Sequence, residues 1–302
     1  MSTTSEIELA YKYCESVTKN HAKSFYFSAK FLPKHKQRPI YALYALCRHV
    51  DDEVDEAEVS SEAEAIAAVE RWKEKLNFVY EGKSKKAKGK SKEQNLVLFA
   101  WEDLLKTYKI PQKLPLELMQ GVLMDTHTNR YETFDELYIY CYRVASTVGL
   151  MSSEIFGYKT PETLDYAEAL GIAMQLTNIL RDIKEDATMN RIYLPQEDLR
   201  RFNVSEQQIF DNKFDENFVK LMKFQILRAK EYYQKCEQGI PLLEKDTRFC
   251  VLLAARIYGR ILDEIEKQDY NVFKARAHTT KLQKIALIPK IWLESRKFRV
   301  EK

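Results

Sequence analysis

Apolar positions recur at three- and four-residue intervals along almost the whole chain, and the breaks between periodic stretches are short and rich in Pro, Gly, Asn or Lys. That pattern predicts about ten helices and requires no strand. The periodic segments run near 5–19, 22–31, 36–57, 61–80, 93–108, 114–129, 135–156, 162–188, 214–238, 248–268 and 280–294. The clearest stripe is Ile40, Leu43, Leu46, Cys47, Val50 and Val54, which marks the buried face of an amphipathic helix. The longest uncharged run, Ala169 to Leu180, falls short of the roughly 18 residues of a membrane span and reads as a buried helix.

One stretch breaks the pattern. Residues 82–92, GKSKKAKGKSK, are too basic and too poor in apolar side chains to pack, so they read as a mobile, solvated loop between helices. Contact with an anionic membrane surface is its alternative use. No internal repeat and no other composition shift marks a boundary, so residues 1–302 are expected to form a single domain.

Composition sharpens this picture. Eight glycines and eight prolines in 302 residues are too few for a turn-rich β architecture, and 45% hydrophobic residues supply a large core. Forty-eight basic against 45 acidic residues leave a net charge of +3, which gives no reason to expect a nucleic-acid partner. The five cysteines contain no C-x-x-C pair and suggest neither disulfides nor zinc, so a reducing cytoplasm is the expected setting. The N-terminus does not read as a secretion signal.

Two polar faces stand out against the apolar pattern. Tyr44, Arg48, Asp51 and Asp55 step by four, three and four along the 36–57 helix and therefore share a face. Gln175, Asn178, Asp182 and Asp186 step by three, four and four along a later helix that is otherwise very apolar. Carboxylates one turn apart repel by a few tenths of a kcal/mol, and burying them uncompensated costs more. A divalent cation would compensate. Each ladder has an arginine within it or beside it, Arg48 and Arg181, and oxygen ligands with nearby guanidinium groups suit magnesium holding a phosphorylated substrate. Taken singly, either ladder could be a solvated acidic helix face. No histidine has a Glu three residues before it, and no Gly-rich phosphate loop occurs, so di-iron bundles and the usual nucleotide folds are excluded.

Four blocks carry a family resemblance: His21-Ala-Lys-Ser-Phe25, the helix ending CRHVDDEVDE, YCYRVASTVG at 140–149, and QLTNILRDIKEDATMNRIYLP at 175–195. In order and spacing they resemble the squalene and phytoene synthases, over about residues 8 to 290. The resemblance implies an all-α isoprenoid synthase fold, a helical bundle around a deep central cavity with the two aspartate motifs facing each other at its mouth. It implies that Asp51, Asp55, Asn178, Asp182 and Asp186 hold two or three magnesium ions. It places Ser24, Phe25, Tyr44, Arg48, Tyr140, Gln175, Arg181, Tyr258 and Arg276 around the diphosphates and prenyl chains, with Ala145, Val148 and Gly149 leaving room for the chains. Read without it, Tyr44, Tyr140 and Tyr258 could equally be core tyrosines, Phe25 packing, and Gly149 and Gly171 close helix contacts.

The activity implied is head-to-head condensation of two allylic prenyl diphosphates through a cyclopropylcarbinyl diphosphate. Farnesyl diphosphate would give squalene or dehydrosqualene and geranylgeranyl diphosphate would give phytoene, with NADPH used only if the product is squalene. A class I terpene cyclase or prenyl diphosphate phosphatase on the same fold is the alternative enzyme, and a helical scaffold protein the alternative outside catalysis. No membrane anchor or transit peptide is read in the sequence, so a bacterial-type cytoplasmic enzyme is expected, with transient peripheral membrane contact through Lys-rich surfaces to release a water-insoluble product.

Overall fold

A computed structural model describes residues 2–58, 61–83 and 86–298. Among them the regular elements are helical, and only two isolated bridges, Arg130 with Ile192 and Tyr158 with Leu243, have β pairing. In chain order the helices are α1 (Ser2–His21), α2 (Lys23–Ala29), α3 (Lys34–Glu58), α4 (Glu62–Tyr80), α5 (Lys92–Leu105), α6 (Lys113–Met124), α7 (Phe134–Cys141), α8 (Thr147–Phe156), α9 (Thr163–Thr188), α10 (Gln196–Arg201), α11 (Glu206–Phe210), α12 (Glu216–Glu237), α13 (Lys245–Lys267) and α14 (Lys281–Lys297). None is long and apolar enough to cross a membrane among the described residues.

Helix α3 forms for the reason its pattern states. Ile40, Leu43, Leu46, Val50 and Val54 are at most 1% exposed and face α1, α4 and α5, where Trp72, Leu76 and Trp101 complete an apolar cluster. Each such side chain contributes about 1.5–3 kcal/mol of burial. Turning that stripe inward presents Tyr44, Arg48, Asp51 and Asp55 on another face of the helix. Helix α9 does the same for the second ladder: Ile172, Leu176, Ile179, Leu180 and Ile183 pack with Phe218, Leu221, Met222 and Ile226 of α12 and with α13 in a second apolar cluster.

Local signals set several ends. Ser61, Ser91, Thr133, Asp215 and Thr280 each accept a hydrogen bond from the backbone N–H three residues on, capping α4, α5, α7, α12 and α14. At Thr280 the Gln283 side chain returns the bond and closes a capping box.

The predicted 135–156 helix is interrupted. Residues 142–146 form a π-helical turn between α7 and α8, with one extra residue in the turn. Gly171 of α9 presses against it, so closely that an added Cβ would lie 2.4 Å from the Ser146 Cα and 2.5 Å from its nitrogen. The predicted 114–129 helix stops at Met124, leaving Asp125 as its C-terminal cap. Helices α10 and α11 were not anticipated, since five or six residues span too few turns to show a period.

In the Lys-rich stretch, residues 84 and 85 lie outside the described residues. The remainder is tethered: the Lys90 ammonium sits 2.7 Å from a Glu53 carboxylate oxygen of α3, the Lys90 N–H donates to Gln94, and Ala87 is buried.

Candidate active site

A cavity of about 330 Å³ opens among α2, α3, the π turn, α8, α9 and α13. Its wall is mostly apolar or small: Ala29, Leu32 and Ile40 on one side, Val148, Gly149 and Leu170 on another, Val251 and Ala254 on a third. Of the residues expected around a substrate, Phe25, Tyr44, Ala145, Val148, Gly149, Gln175, Asn178 and Tyr258 line it directly. Phe25 and Tyr44 stack with ring centroids 5.6 Å apart, and Asn178 donates to the Gln175 side-chain oxygen over 3.2 Å. Val144 and Ala145 of the π turn form part of the wall, while Gly149 both borders the cavity and lets α8 approach the Ala167 carbonyl.

The acidic ladders continue from this lining by one helical turn, Tyr44 leading to Arg48 and Asp51, and Asn178 to Asp182. The four aspartates themselves are not among the residues that line the cavity; they stand farther along α3 and α9 than the lining residues Tyr44 and Asn178. Arg48 pairs with Asp51, at 3.2 Å, and with Asp52; its Nε–H is buried and has no acceptor among the described residues. Burial pushes Asp51 up to about 7, helped by Asp55 and opposed by Arg48. Asp186 likewise rises to about 7, through burial and then the neighbouring Asp182 and Asp125. Asp182 differs. Burial alone would raise it, but Arg181 donates to it over 2.8 Å and Arg276 grips both its oxygens at 2.7 and 3.0 Å, so it is held below the usual carboxylate range.

Asp125 was not anticipated from the sequence, yet it sits at the centre of this charge distribution. It raises both Asp51 and Asp186 and is itself raised by Asp55, which places it within electrostatic reach of both ladders. Its two oxygens accept hydrogen bonds from Tyr140, 3.0 Å, and Tyr193, 2.7 Å, whose rings stack 5.1 Å apart. Burial lifts it to about 6 despite those donors and Arg191. The sequence carried no signal for it, because the predicted 114–129 helix placed Asp125 in its interior and only the structure ends that helix at Met124.

Five of the expected residues are not part of the cavity wall, and three of them, Arg48, Arg181 and Arg276, pair with ladder acids instead. Tyr140 is buried and turned towards Asp125, and Ser24 accepts a 2.8 Å hydrogen bond from Lys284 of α14. Lys284 is a further cation that the sequence pattern did not single out; burial, and then Lys23, lower its pKa.

Three or more His, Cys, Asp or Glu groups do not come together closely enough, among the described residues, to hold a metal ion by themselves. The donors nevertheless suit magnesium: Asp51, Asp55, Asp182 and Asp186 offer hard oxygens, with Asn178 adjacent, and burial together with neighbouring acids raises Asp51 and Asp186. A small octahedral cation that keeps waters and takes phosphate oxygens does not need a preformed cage.

Comparison with known proteins decides the family. The squalene/phytoene synthase sequence pattern matches residues 18–283. The chain belongs to the squalene/phytoene synthase family. It is 38% identical over 301 residues to the 15-cis-phytoene synthase of Synechocystis sp., covering 96% of this chain and 86% of that one. Its fold superposes on a dehydrosqualene synthase crystal structure with a TM-score of 0.86 at 31% identity, over 96% of this chain and 99% of the other. It also matches the squalene synthase HpnC from Alicyclobacillus acidocaldarius, TM-score 0.79 at 25% identity, covering 88% and 96%. The isoprenoid synthase fold and a prenyltransferase type of enzyme expected from the sequence blocks are therefore borne out. Members of this family use prenyl diphosphates and generally need a divalent metal.

Proposed function

We propose that this enzyme joins two geranylgeranyl diphosphates head to head to make phytoene. The observation that carries the reading is a largely apolar cavity whose lining helices α3 and α9 carry a carboxylate ladder one turn beyond the lining, in a chain 38% identical to a phytoene synthase over nearly its whole length. Likeness to a dehydrosqualene synthase favours a second reading, in which two farnesyl diphosphates give dehydrosqualene. The helices would serve this chemistry as one domain.

Asp51, Asp55, Asn178, Asp182 and Asp186 would hold magnesium ions, two or three with both diphosphates bound. When bound, magnesium neutralises the departing diphosphate and so makes it a better leaving group. Arg181 and Arg276, now spent on Asp182, and the unsatisfied Nε–H of Arg48 supply donors that diphosphate oxygens can take over. Lys284, beside Ser24 and Lys23, adds positive charge near α2.

The chemistry then follows from what the wall permits. The C1–O bond of one substrate breaks and the diphosphate leaves with the electron pair. The C2–C3 double bond of the second substrate attacks that C1, and loss of a proton closes a cyclopropylcarbinyl diphosphate. Its own C–O bond then breaks, the ring rearranges to a 1,1′ linkage, and a second proton leaves. The apolar wall excludes water from these cations, and the Phe25, Tyr44 and Tyr258 faces can stabilise them. Tyr140 and Tyr193 act one layer back by fixing the Asp125 carboxyl. Proton loss needs no reductant, so NADPH would have no part unless squalene were made. Release of such a hydrocarbon suits a cytoplasmic enzyme that touches a membrane transiently.

The test is incubation with magnesium and labelled geranylgeranyl or farnesyl diphosphate, with and without NADPH, followed by product identification. A forty-carbon 1,1′-linked triene core from geranylgeranyl diphosphate, independent of NADPH, is the expected result. A thirty-carbon product alone would transfer the assignment to farnesyl diphosphate, and release of prenyl alcohol or a cyclic terpene would sink head-to-head coupling.

A further inference from the structure

Helix α14 carries an apolar face that no other element covers among the described residues, its own Arg296 lying over the Trp292 ring at 4.4 Å. Leu282 is 80% exposed, Ile285 45%, Trp292 45% and Leu293 57%. At 100° per residue these four, with Ala286 and Pro289, fall within an arc of about 120° on one side of the helix. The inward side is already used: Ile291 is buried, Leu287 packs on the apolar core, and Lys284 reaches Ser24. Lys281 borders the outward arc on one flank, Lys290 and Lys297 on the other, and Arg296 lies within it. Glu294 is the single acid on α14 and is shared between Arg256, at 3.7 Å, and Lys290, at 3.9 Å.

The helix is also placed next to the cavity. It packs along the outside of α13, from Thr279, which bonds the Ile257 carbonyl, to Phe298, whose carbonyl accepts from Arg248 over 2.8 Å. The other side of α13 contributes Cys250, Val251, Ala254 and Tyr258 to the cavity wall, and Ser24 precedes Phe25 of the same wall. One layer of helix thus separates the prenyl cavity from the uncovered face.

We infer that the outward face of α14 docks this enzyme on an anionic lipid bilayer, with Leu282, Ile285, Trp292 and Leu293 in the headgroup–acyl boundary and the flanking cations at lipid phosphates. An apolar stripe bordered by Lys and Arg, with Trp at the boundary, is the chemistry such an interface selects. A second copy is disfavoured by charge: in a two-fold pair through this face, the cations Lys281, Lys290, Arg296 and Lys297 of one copy would be brought up against those of the other. The surface assigned is therefore α14 rather than the Lys-rich stretch at 82–92, whose Lys90 is engaged with Glu53. The benefit, delivery of a hydrocarbon product, rests on the proposed function; the docking itself does not.

The tryptophans give a direct readout, because Trp72 and Trp101 are fully buried and Trp292 is exposed. The full-length protein is mixed with vesicles of phosphatidylcholine alone or with about one-third phosphatidylglycerol, some bearing brominated acyl chains, and emission and co-sedimentation are followed. Binding to the anionic vesicles, with a blue shift and bromine quenching, is expected, weakening as salt rises. The double variant Leu282→Glu/Leu293→Glu is expected to lower partitioning at least tenfold while turning over detergent-dispersed substrate at the wild-type rate. Co-sedimentation without Trp292 quenching, wild-type partitioning by the double variant, or no binding to anionic vesicles would each overturn the assignment. So would shielding of Trp292 that rises with protein concentration in the absence of vesicles, since a second copy would then be the occupant. If the coupling reaction proved wrong, the vesicle result would stand unchanged, so the two failures are separable.

Discussion

Replacing Asp186 by Asn removes a carboxyl that the fold holds at a cost. Its pKa is raised from 3.8 to about 7 by burial and by Asp182 and Asp125. Unscreened, that displacement corresponds to about 4 kcal/mol at about 1.36 kcal/mol per tenfold change; partial solvent access reduces it to about 1–2 kcal/mol. Asp51 is raised similarly, but 41% of its side chain remains exposed, so Asp186 is the cleaner site. The sign follows from proton linkage: the native state binds a proton more tightly than the unfolded chain, so the cost is complete above about pH 7 and fades as pH falls towards 4. Metal-free Asp186→Asn should therefore melt a few degrees above wild type at pH 8, and the gap should shrink to about a third at pH 5. With magnesium and a non-ionisable prenyl thiodiphosphate the order should reverse, because only the wild type keeps the full proposed ligand set. Thermal unfolding by circular dichroism across these conditions measures all three. A variant less stable than metal-free wild type at pH 8 would refute the idea that this ladder stores uncompensated charge.

Arg276→Gln leaves Asp182 with one arginine and removes a proposed diphosphate donor, so KM should rise about tenfold with a smaller fall in kcat, measurable by steady-state kinetics. Tyr140→Phe takes a donor from Asp125, whose carboxyl already titrates near 6; losing a hydrogen bond to the charged form should move the acid limb of the pH–rate profile up by about one unit. An unmoved limb with reduced rate would mean Tyr140 serves packing alone. Gly171→Ala adds a Cβ 2.4 Å from the Ser146 Cα, and since backbone cannot yield cheaply, denaturant unfolding should show a loss of about 1–3 kcal/mol despite alanine's higher helix propensity.

The long helices were legible because each carries an apolar stripe of several turns: α3 and α9 lie within two residues of their predicted ends. The same stripes revealed the ladders, since polar side chains at helical spacing on an apolar helix are conspicuous. What the pattern could not show is pairing across elements. Asp125, Tyr193 and Lys284 come from three separate segments and acquire meaning only when α6, the segment after α9, and α14 are brought to the ladders, α2 and one another. The π turn at 142–146 was also invisible, because a single such turn leaves the helical spacing intact in the segments before and after it. Arg276, weakly supported by its local sequence, turned out to grip Asp182 through both oxygens.

The most direct test of paired ladders acting through diphosphate-bridged metal is a binding titration. Manganese, as a spectroscopic stand-in for magnesium, would be titrated into wild-type enzyme and into Asp51→Asn and Asp186→Asn, with and without the thiodiphosphate analogue. Ladders that lack a preformed metal cage predict weak metal binding alone, at least a tenfold gain with analogue, and loss of that gain in either variant. Tight metal binding without analogue, or analogue binding that ignores both metal and the two aspartates, would contradict it.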